Sequence, residues 1–422
     1  MCRFRVSGSR ASLRACATCV LLAAWGCGAP PSLDDAARRY VRLAVALGER
    51  DPDSIDFYAG PADAVADLRR SPPPLADIKR EAGALSRRLS AAVAGDAVEA
   101  ARANALAADL GAIITRVDLL HGTRLPYDKE SAAFFGIAPA PLDERRLDAV
   151  RSQIADSVGR NGRLVDRYAA FAARFTVPPE RLQPVMEAAL AACRAATLAH
   201  VALPPGERAT LEFVRDAPWS AFSRYLGGAR SVIRINADFH FTMDQALQVA
   251  CHEGYPGHHT LNTLRTLAGD RPERSVQLTF SPESLVSEAS AMLASDVAFP
   301  PDERLRVVRD RLFPLANLPP DEAASHLQVE RLVGELQIVQ ADVARRYLDG
   351  ELDFTRAVTE LEERALVPHA EAQMKYVNEF RSYVTTYTAG RAALASRLAA
   401  CAGPHPSGDA GWRCYLPVFT NP

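Results

Sequence analysis

Apolar residues recur three and four positions apart along Leu33 to Arg50, Pro74 to Ala94, Val98 to Leu120, Leu142 to Ala155 and Pro178 to Leu203. That period predicts amphipathic helices. Proline and glycine punctuate them at Leu125-Pro126-Tyr127, Ala138-Pro139-Ala140-Pro141 and Leu203-Pro204-Pro205-Gly206. Apolar and polar residues alternate over Ser231-Val232-Ile233-Arg234-Ile235-Asn236, which reads as a short strand. Ser275-Val276-Gln277-Leu278-Thr279-Phe280 reads as a second strand or a loop. Helical periodicity returns over Pro320 to Leu348 and Phe354 to Leu398, with Asp349-Gly350 between them. No internal repeat and no further hydrophobic span follows residue 28. The expected fold is mainly α, one large helical domain with a very small β element. Its parts are an N-terminal helical half over 28–200, a second half over 201–400 and a Gly/Pro-rich tail over 401–422.

Composition supports this picture. Of 422 residues, 48% are hydrophobic and 24% charged, enough for a large core and against disorder as the default. Alanine and arginine abound while aromatics are only 7%, a balance that favours helix over sheet. A formal net charge of -2 supplies no basic field, so no nucleic-acid partner is expected.

Residues 1–27 stand apart from the fold. Arg3, Arg5, Arg10 and Arg14 form a basic start without an acidic residue, and Ala15 to Gly26 follow as an apolar stretch too short to span a bilayer. The segment ends Leu21-Leu22-Ala23-Ala24-Trp25-Gly26-Cys27. It resembles a bacterial lipoprotein signal in which Cys27 becomes the lipidated first residue. Ordinary cleavage is the alternative, because Ala24 and Trp25 stand where leucine and a small residue are usual. The expected location is the bacterial envelope, periplasmic or membrane-anchored, touching the membrane only through Cys27. Cys401 and Cys414 bracket the tail, where a disulfide suits an oxidising compartment and two unpaired thiols are the alternative. Cys193 and Cys251 lie inside apolar helical patterns and read as small core residues.

Three of the nine histidines fall within His252-Glu253-Gly254-Tyr255-Pro256-Gly257-His258-His259. Upstream, Thr242-Met243-Asp244-Gln245 has the form of a capping box, so a helix starting near Thr242 delivers His252 and Glu253. Zinc hydrolases commonly present two histidines one turn apart, with a glutamate beside the first as base. An ideal helix puts His258 about 240° round from His252, on the wrong face. His259 would face correctly but lie about 10.5 Å along the axis, too far to share one ion. Pro256 and Gly257 can bend the helix and return His258 to the metal. His259 is then expected beside the site and not as a ligand. The bland alternative is a histidine-rich helix end whose imidazoles cap carbonyls.

A third ligand is expected at Glu288. Ser281-Pro282-Glu283 has the form of a helix start, and Glu288 follows within a largely apolar, small-residue stretch. A carboxylate among alanines and leucines needs a partner, and a cation would serve. Glu283 is the competing carboxylate, placed at the surface end.

His-Glu-x-x-Pro-Gly-His, followed some thirty residues later by a helical glutamate, resembles the bacterial family known as domain of unknown function 885. Leu203-Pro204-Pro205-Gly206-Glu207, Pro218-Trp219, Tyr225-Leu226-Gly227 and Ser231 to Asn236 resemble that family's approach to its catalytic helix. Arg381-Ser382-Tyr383 and Tyr387-Thr388-Ala389-Gly390-Arg391 resemble its closing tyrosine-glycine helix. The similarity spans about residues 35 to 400. It departs from the pattern at Ala289 and Ser290, where glycine and an aromatic are frequent, and at Thr260, where an apolar residue is usual. The resemblance implies a helical fold of zincin or gluzincin-like type and metallopeptidase chemistry.

The expected reaction is hydrolysis of a peptide or small amide by zinc-activated water, with His252, His258 and Glu288 as ligands and Glu253 as general base. Tyr376, Tyr383, Tyr387 and Arg391 share one helical face. Tyr383 or Tyr387 is the expected oxyanion donor and Arg391 a carboxylate-binding group; an amphipathic core stripe is the alternative. The strand 231–236 could align an extended substrate by edge pairing. Rival readings are a metal- or peptide-binding lipoprotein without turnover and a non-peptide amide or ester hydrolase.

Overall fold

Ser32 accepts a hydrogen bond from the Asp35 amide and so caps the first helix, α1 (Leu33–Gly48). This computed structural model describes residues 32–91, 96–217, 219–403 and 407–420. The leader, Cys27 and Pro218 lie outside them. Strand β1 (Ile55–Tyr58) follows, then helices α2 (Leu75–Ala91) and α3 (Ala97–Leu120), the latter capped by Asp96. Apolar residues of α1, α2 and α3 form one core cluster with Val276 and Leu278, from far along the chain.

Helices α4 (Tyr127–Phe135), α5 (Glu144–Ser157), α6 (Leu164–Ala173) and α7 (Leu182–Leu198) come next. Strands β2 (Arg208–Val214), β3 (Ala221–Gly227) and β4 (Arg230–Asn236) then form a sheet of order β2-β4-β3, with β2 parallel and β3 antiparallel to β4. The expected strand is thus the central one of three. Both its edges are paired, so the idea that it aligns substrate by edge pairing is corrected.

Helix α8 (Met243–Glu253) opens with the expected capping box: Thr242 accepts from the Gln245 amide, and the Gln245 side chain accepts from the Thr242 amide. Helix α9 (His258–Leu267), strand β5 (Val276–Leu278) and helix α10 (Pro282–Ala298) follow, and β5 pairs antiparallel with β1. The remaining helices include α11 (Ala323–Leu336), α12 (Val339–Leu348), α13 (Phe354–Ala365), α14 (Glu371–Phe380), α15 (Arg391–Ala402) and α16 (Gly408–Tyr415). The stretch from Phe354 to Leu398 is therefore interrupted, with Leu366 and Arg381 in left-handed backbone at φ 54° and 52°.

The chain is mainly helical, as expected. Its largest core cluster runs from Tyr127 to Phe419, uniting α5 to α8 with α10 and α11, so apolar packing crosses residue 200 without a break. Among the described residues no helix is long and apolar enough to cross a membrane. Two disulfides are present. Cys401–Cys414 closes the tail as expected. Cys193–Cys251 corrects the reading of those two residues as free core thiols: α7 packs along α8 and brings their Cα atoms to 5.4 Å. Burial makes a free cysteine and a bonded one look alike in sequence.

Candidate metal centre

The metal-binding helix stops where the sequence suggested a bend. Helix α8 ends at Glu253, four residues turn, and α9 starts anew at His258. The turn contains a cis Tyr255–Pro256 bond. The Gly257 amide bonds the Cys251 carbonyl at 3.0 Å, and a Cβ on Gly257 would lie 1.8 Å from the His252 carbonyl oxygen. Only glycine fits so close to the preceding helix end. Breaking the helix frees His258 from the 240° offset of a continuous one.

His252, His258 and Glu288 converge. The two Nε2 atoms are 3.1 Å apart, and Glu288 Oε2 lies 3.4 Å from that of His252 and 3.6 Å from that of His258. Donors held about 2.0–2.2 Å from one tetrahedral zinc are separated by about 3.3 Å, so the three atoms match three corners of such a site. Glu288 Oε2 is fully buried without a hydrogen-bond partner, a cost that a cation would remove. Two imidazoles and one carboxylate are the donor set of an open zinc site. The residues fit the metal.

The surrounding groups orient these three. His258 Nδ1 faces Ser287 Oγ at 3.1 Å; with Nε2 turned to a metal, Nδ1 carries the proton and donates it. The Tyr383 hydroxyl donates to Glu288 Oε1 at 2.8 Å. Burial disfavours the imidazolium of His258, but the Glu288 carboxylate, helped by Glu253 and Asp56, outweighs it and raises the pKa to about 9. Burial also opposes ionisation of Glu288, yet His258 and His252 hold its carboxyl far below the usual range. Both shifts describe a site built for compensating charge. Glu253 is buried at the end of α8 and, among the described residues, makes no hydrogen bond or ion pair.

His259 points away, as expected. It is fully buried, with Nδ1 2.8 Å from Ser231 Oγ and Nε2 3.0 Å from Glu207 Oε2. Tyr255 donates to the same Glu207 oxygen at 2.7 Å, and Arg194 pairs with the other. This network pins the turn between α8 and α9 to the sheet. Glu283 is no competitor for the metal, because it pairs with Arg265.

The tyrosine segment is not one continuous α-helix. Tyr383 ends a 3-10 turn and Tyr387 lies in a π-helical turn, Thr386–Gly390, where Gly390 packs against Leu285. The wider turn shifts the register, so Arg391 leaves the tyrosine face. It pairs with Asp296 at 3.4 Å, two turns along α10 from Glu288. The structure thus brings Tyr383 to the cluster but not Arg391. Tyr387 is placed between: its hydroxyl is 3.3 Å from that of Tyr376, and the charge of Glu288 raises the pKa of both beyond what burial does. The Tyr383 ring packs with Phe135 and Phe280, so the core-stripe reading holds for its ring and the functional one for its hydroxyl.

One acidic residue at the site escaped the sequence reading. Burial, with Glu288 and Glu253 against the opposing charge of His258, raises the pKa of Asp56 to about 7. On the Nδ1 side of His258 lies a cavity of about 170 Å³, lined by Ser287, Arg102, Asp109, Arg265, Glu283 and Phe419 among others.

No family model and no curated protein matches the chain. The resemblance to the domain of unknown function 885 family therefore rests on its quoted segments. Among solved structures, a "putative lipoprotein" from Colwellia psychrerythraea aligns at TM-score 0.52 and 15% identity, over 93% of this chain and 74% of that one. At that identity the likeness shows a shared fold. An M32 carboxypeptidase from Deinococcus radiodurans R1 aligns at TM-score 0.46 and 14% identity, over 92% and 88% of the two chains.

Proposed function

We propose that this chain is an exported zinc-dependent hydrolase, a metallopeptidase that cleaves peptide bonds. The observation that carries the reading is the convergence of His252, His258 and Glu288, with ligand atoms within 4.8 Å of one another, beside an unpaired Glu253. A structural zinc site closes all four positions with protein, whereas three ligands leave one open. Zinc, when bound, lowers the pKa of a water molecule and polarises the scissile carbonyl. Glu253 takes the proton from that water and hands it to the departing amine. Ser287 and Tyr383 hold His258 and Glu288 in the orientations this requires. Tyr387 is the residue we assign as hydrogen-bond donor to the developing oxyanion. The two disulfides suit an oxidising compartment and so support export.

Metal analysis joined to a peptide-library digest tests the reading. The expected result is one zinc per chain in both parent and Glu253→Gln, with turnover in the variant lower by about 10²–10⁴-fold. Zinc in both proteins without turnover in either would instead make this a binding protein.

A further inference from the structure

Strand β1 holds an acidic residue at an irregular point of its ladder. Ile55 lies opposite Leu278 and Phe57 opposite Gln277, which leaves Asp56 as an extra residue between them. Such bulges re-aim a side chain and recur next to active sites. The Asp56 carboxylate shares the electrostatic surroundings of His258, Glu288 and Glu253 on one side and of Tyr383 on another.

One of its oxygens is fixed. Oδ2 accepts from Gln277 Nε2 at 2.9 Å, and Gln277 Oε1 accepts from Arg265 at 3.2 Å. Arg265 is itself paired with Glu283. The other oxygen, Oδ1, has no hydrogen-bond donor among the described residues. Three carboxylates, Asp56, Glu253 and Glu288, therefore gather around the two imidazoles, and no Lys or Arg among the described residues forms an ion pair with any of them. Their combined charge exceeds that of one zinc ion. Arg391, the guanidinium expected to receive a carboxylate, is engaged by Asp296 elsewhere on α10. The site thus offers an unpaired anion and no cation of its own to a substrate end.

We propose, resting on the hydrolase reading above, that Asp56 sets specificity by accepting the α-ammonium group of a peptide amino terminus through Oδ1. Peptides with a free amino end are then the substrate class, cut near that end. A carboxyl terminus finds no counter-charge there and is disfavoured by the same three carboxylates.

Binding to the zinc-loaded Glu253→Gln variant tests this apart from turnover. The ligands, followed by calorimetry, are tri-alanine, N-acetyl-tri-alanine and tri-alanine amide. A hydrogen bond to a charged group gives an expected preference of roughly 10- to 100-fold for tri-alanine over its N-acetyl form, and little change on amidation. Adding Asp56→Asn should abolish that preference while zinc content and melting temperature stay at parent values; Asp56→Glu, which keeps the charge, should retain part of it. Equal binding of free and acetylated peptides to Glu253→Gln alone overturns the proposal whatever the Asp56 variants do. A preference that survives Asp56→Asn, a loss caused by amidation instead, or no measurable binding of tri-alanine overturns it too. Parent enzyme that hydrolyses free and acetylated peptides alike would leave the hydrolase reading standing and remove this one.

Discussion

Tyr383 donates its hydroxyl to Oε1 of Glu288 at 2.8 Å, while Oε2 of the same carboxylate faces both histidines. The phenol therefore acts on the ligand and not on the substrate. Tyr383→Phe should weaken zinc affinity about 10- to 100-fold in a chelator competition, the usual cost of losing a partner behind a metal ligand. Unchanged affinity with reduced turnover would move Tyr383 back to the oxyanion role that its sequence position suggested.

Gly257→Ala should disable the metal site while sparing most of the fold. The added Cβ would stand 1.8 Å from the His252 carbonyl oxygen and 2.5 Å from that of Cys251, both backbone atoms that cannot turn aside. The turn must open, and His258 moves with it. Zinc content should fall well below one per chain with the helical circular dichroism preserved; full zinc occupancy would show that the turn tolerates a side chain.

His259→Ala and His258→Ala should separate stability from metal binding. His259 is buried between Ser231 and Glu207, so truncation leaves both without a partner and should cost about 1–3 kcal/mol in denaturant unfolding. Zinc should stay. His258→Ala should lose zinc. The reverse pattern of zinc loss would exchange the two assignments.

A second buried cluster predicts the pH dependence of stability. Glu330 faces Asp244, Tyr168, Arg304 and His326; burial and then Asp244 raise its pKa from 4.5 to about 8. A pKa raised on folding stabilises below the unfolded value, and that contribution is lost as pH climbs through 8. His326 runs the other way: burial lowers it from 6.5 to about 4, so its contribution is present above 6.5 and lost as pH falls through 4. The two slopes offset between 4.5 and 6.5. Above 6.5 only Glu330 acts, and unfolding free energy should fall by about 2 kcal/mol by pH 8. Denaturant melts of Glu330→Gln should lack this decline; an equal decline in the variant would assign it to another group.

The metal ligands were legible in the sequence because their residue types and spacing are restrictive. The Thr242-Gln245 capping box fixed the start of α8, and Pro256-Gly257 marked the place where the helix had to yield. Asp56 was not legible. Its role depends on a bulge against Gln277, 221 residues away, and no local pattern records that pairing. Strands β2 and β3 were hidden for a related reason: Phe222 and Leu226 occupy the outer face of β3, so apolar residues fall on both faces and the alternation is blurred. Arg391 misled because a helical wheel assumes a constant pitch, and the π-helical turn at Thr386–Gly390 changes it.

The Cys193–Cys251 bond spans 58 positions of chain and encloses all of β2, β3 and β4. Closing a loop of that length removes about 4 kcal/mol of unfolded-chain entropy in the simplest account. Topologically it makes the sheet a covalent ring whose clasp stands one residue before His252. A single backbone cut anywhere in that ring, the exposed β3 included, opens the ring without dividing the molecule. The clasp still ties the catalytic helix to α7, and the pieces remain one covalent body in a compartment where other proteases are at work.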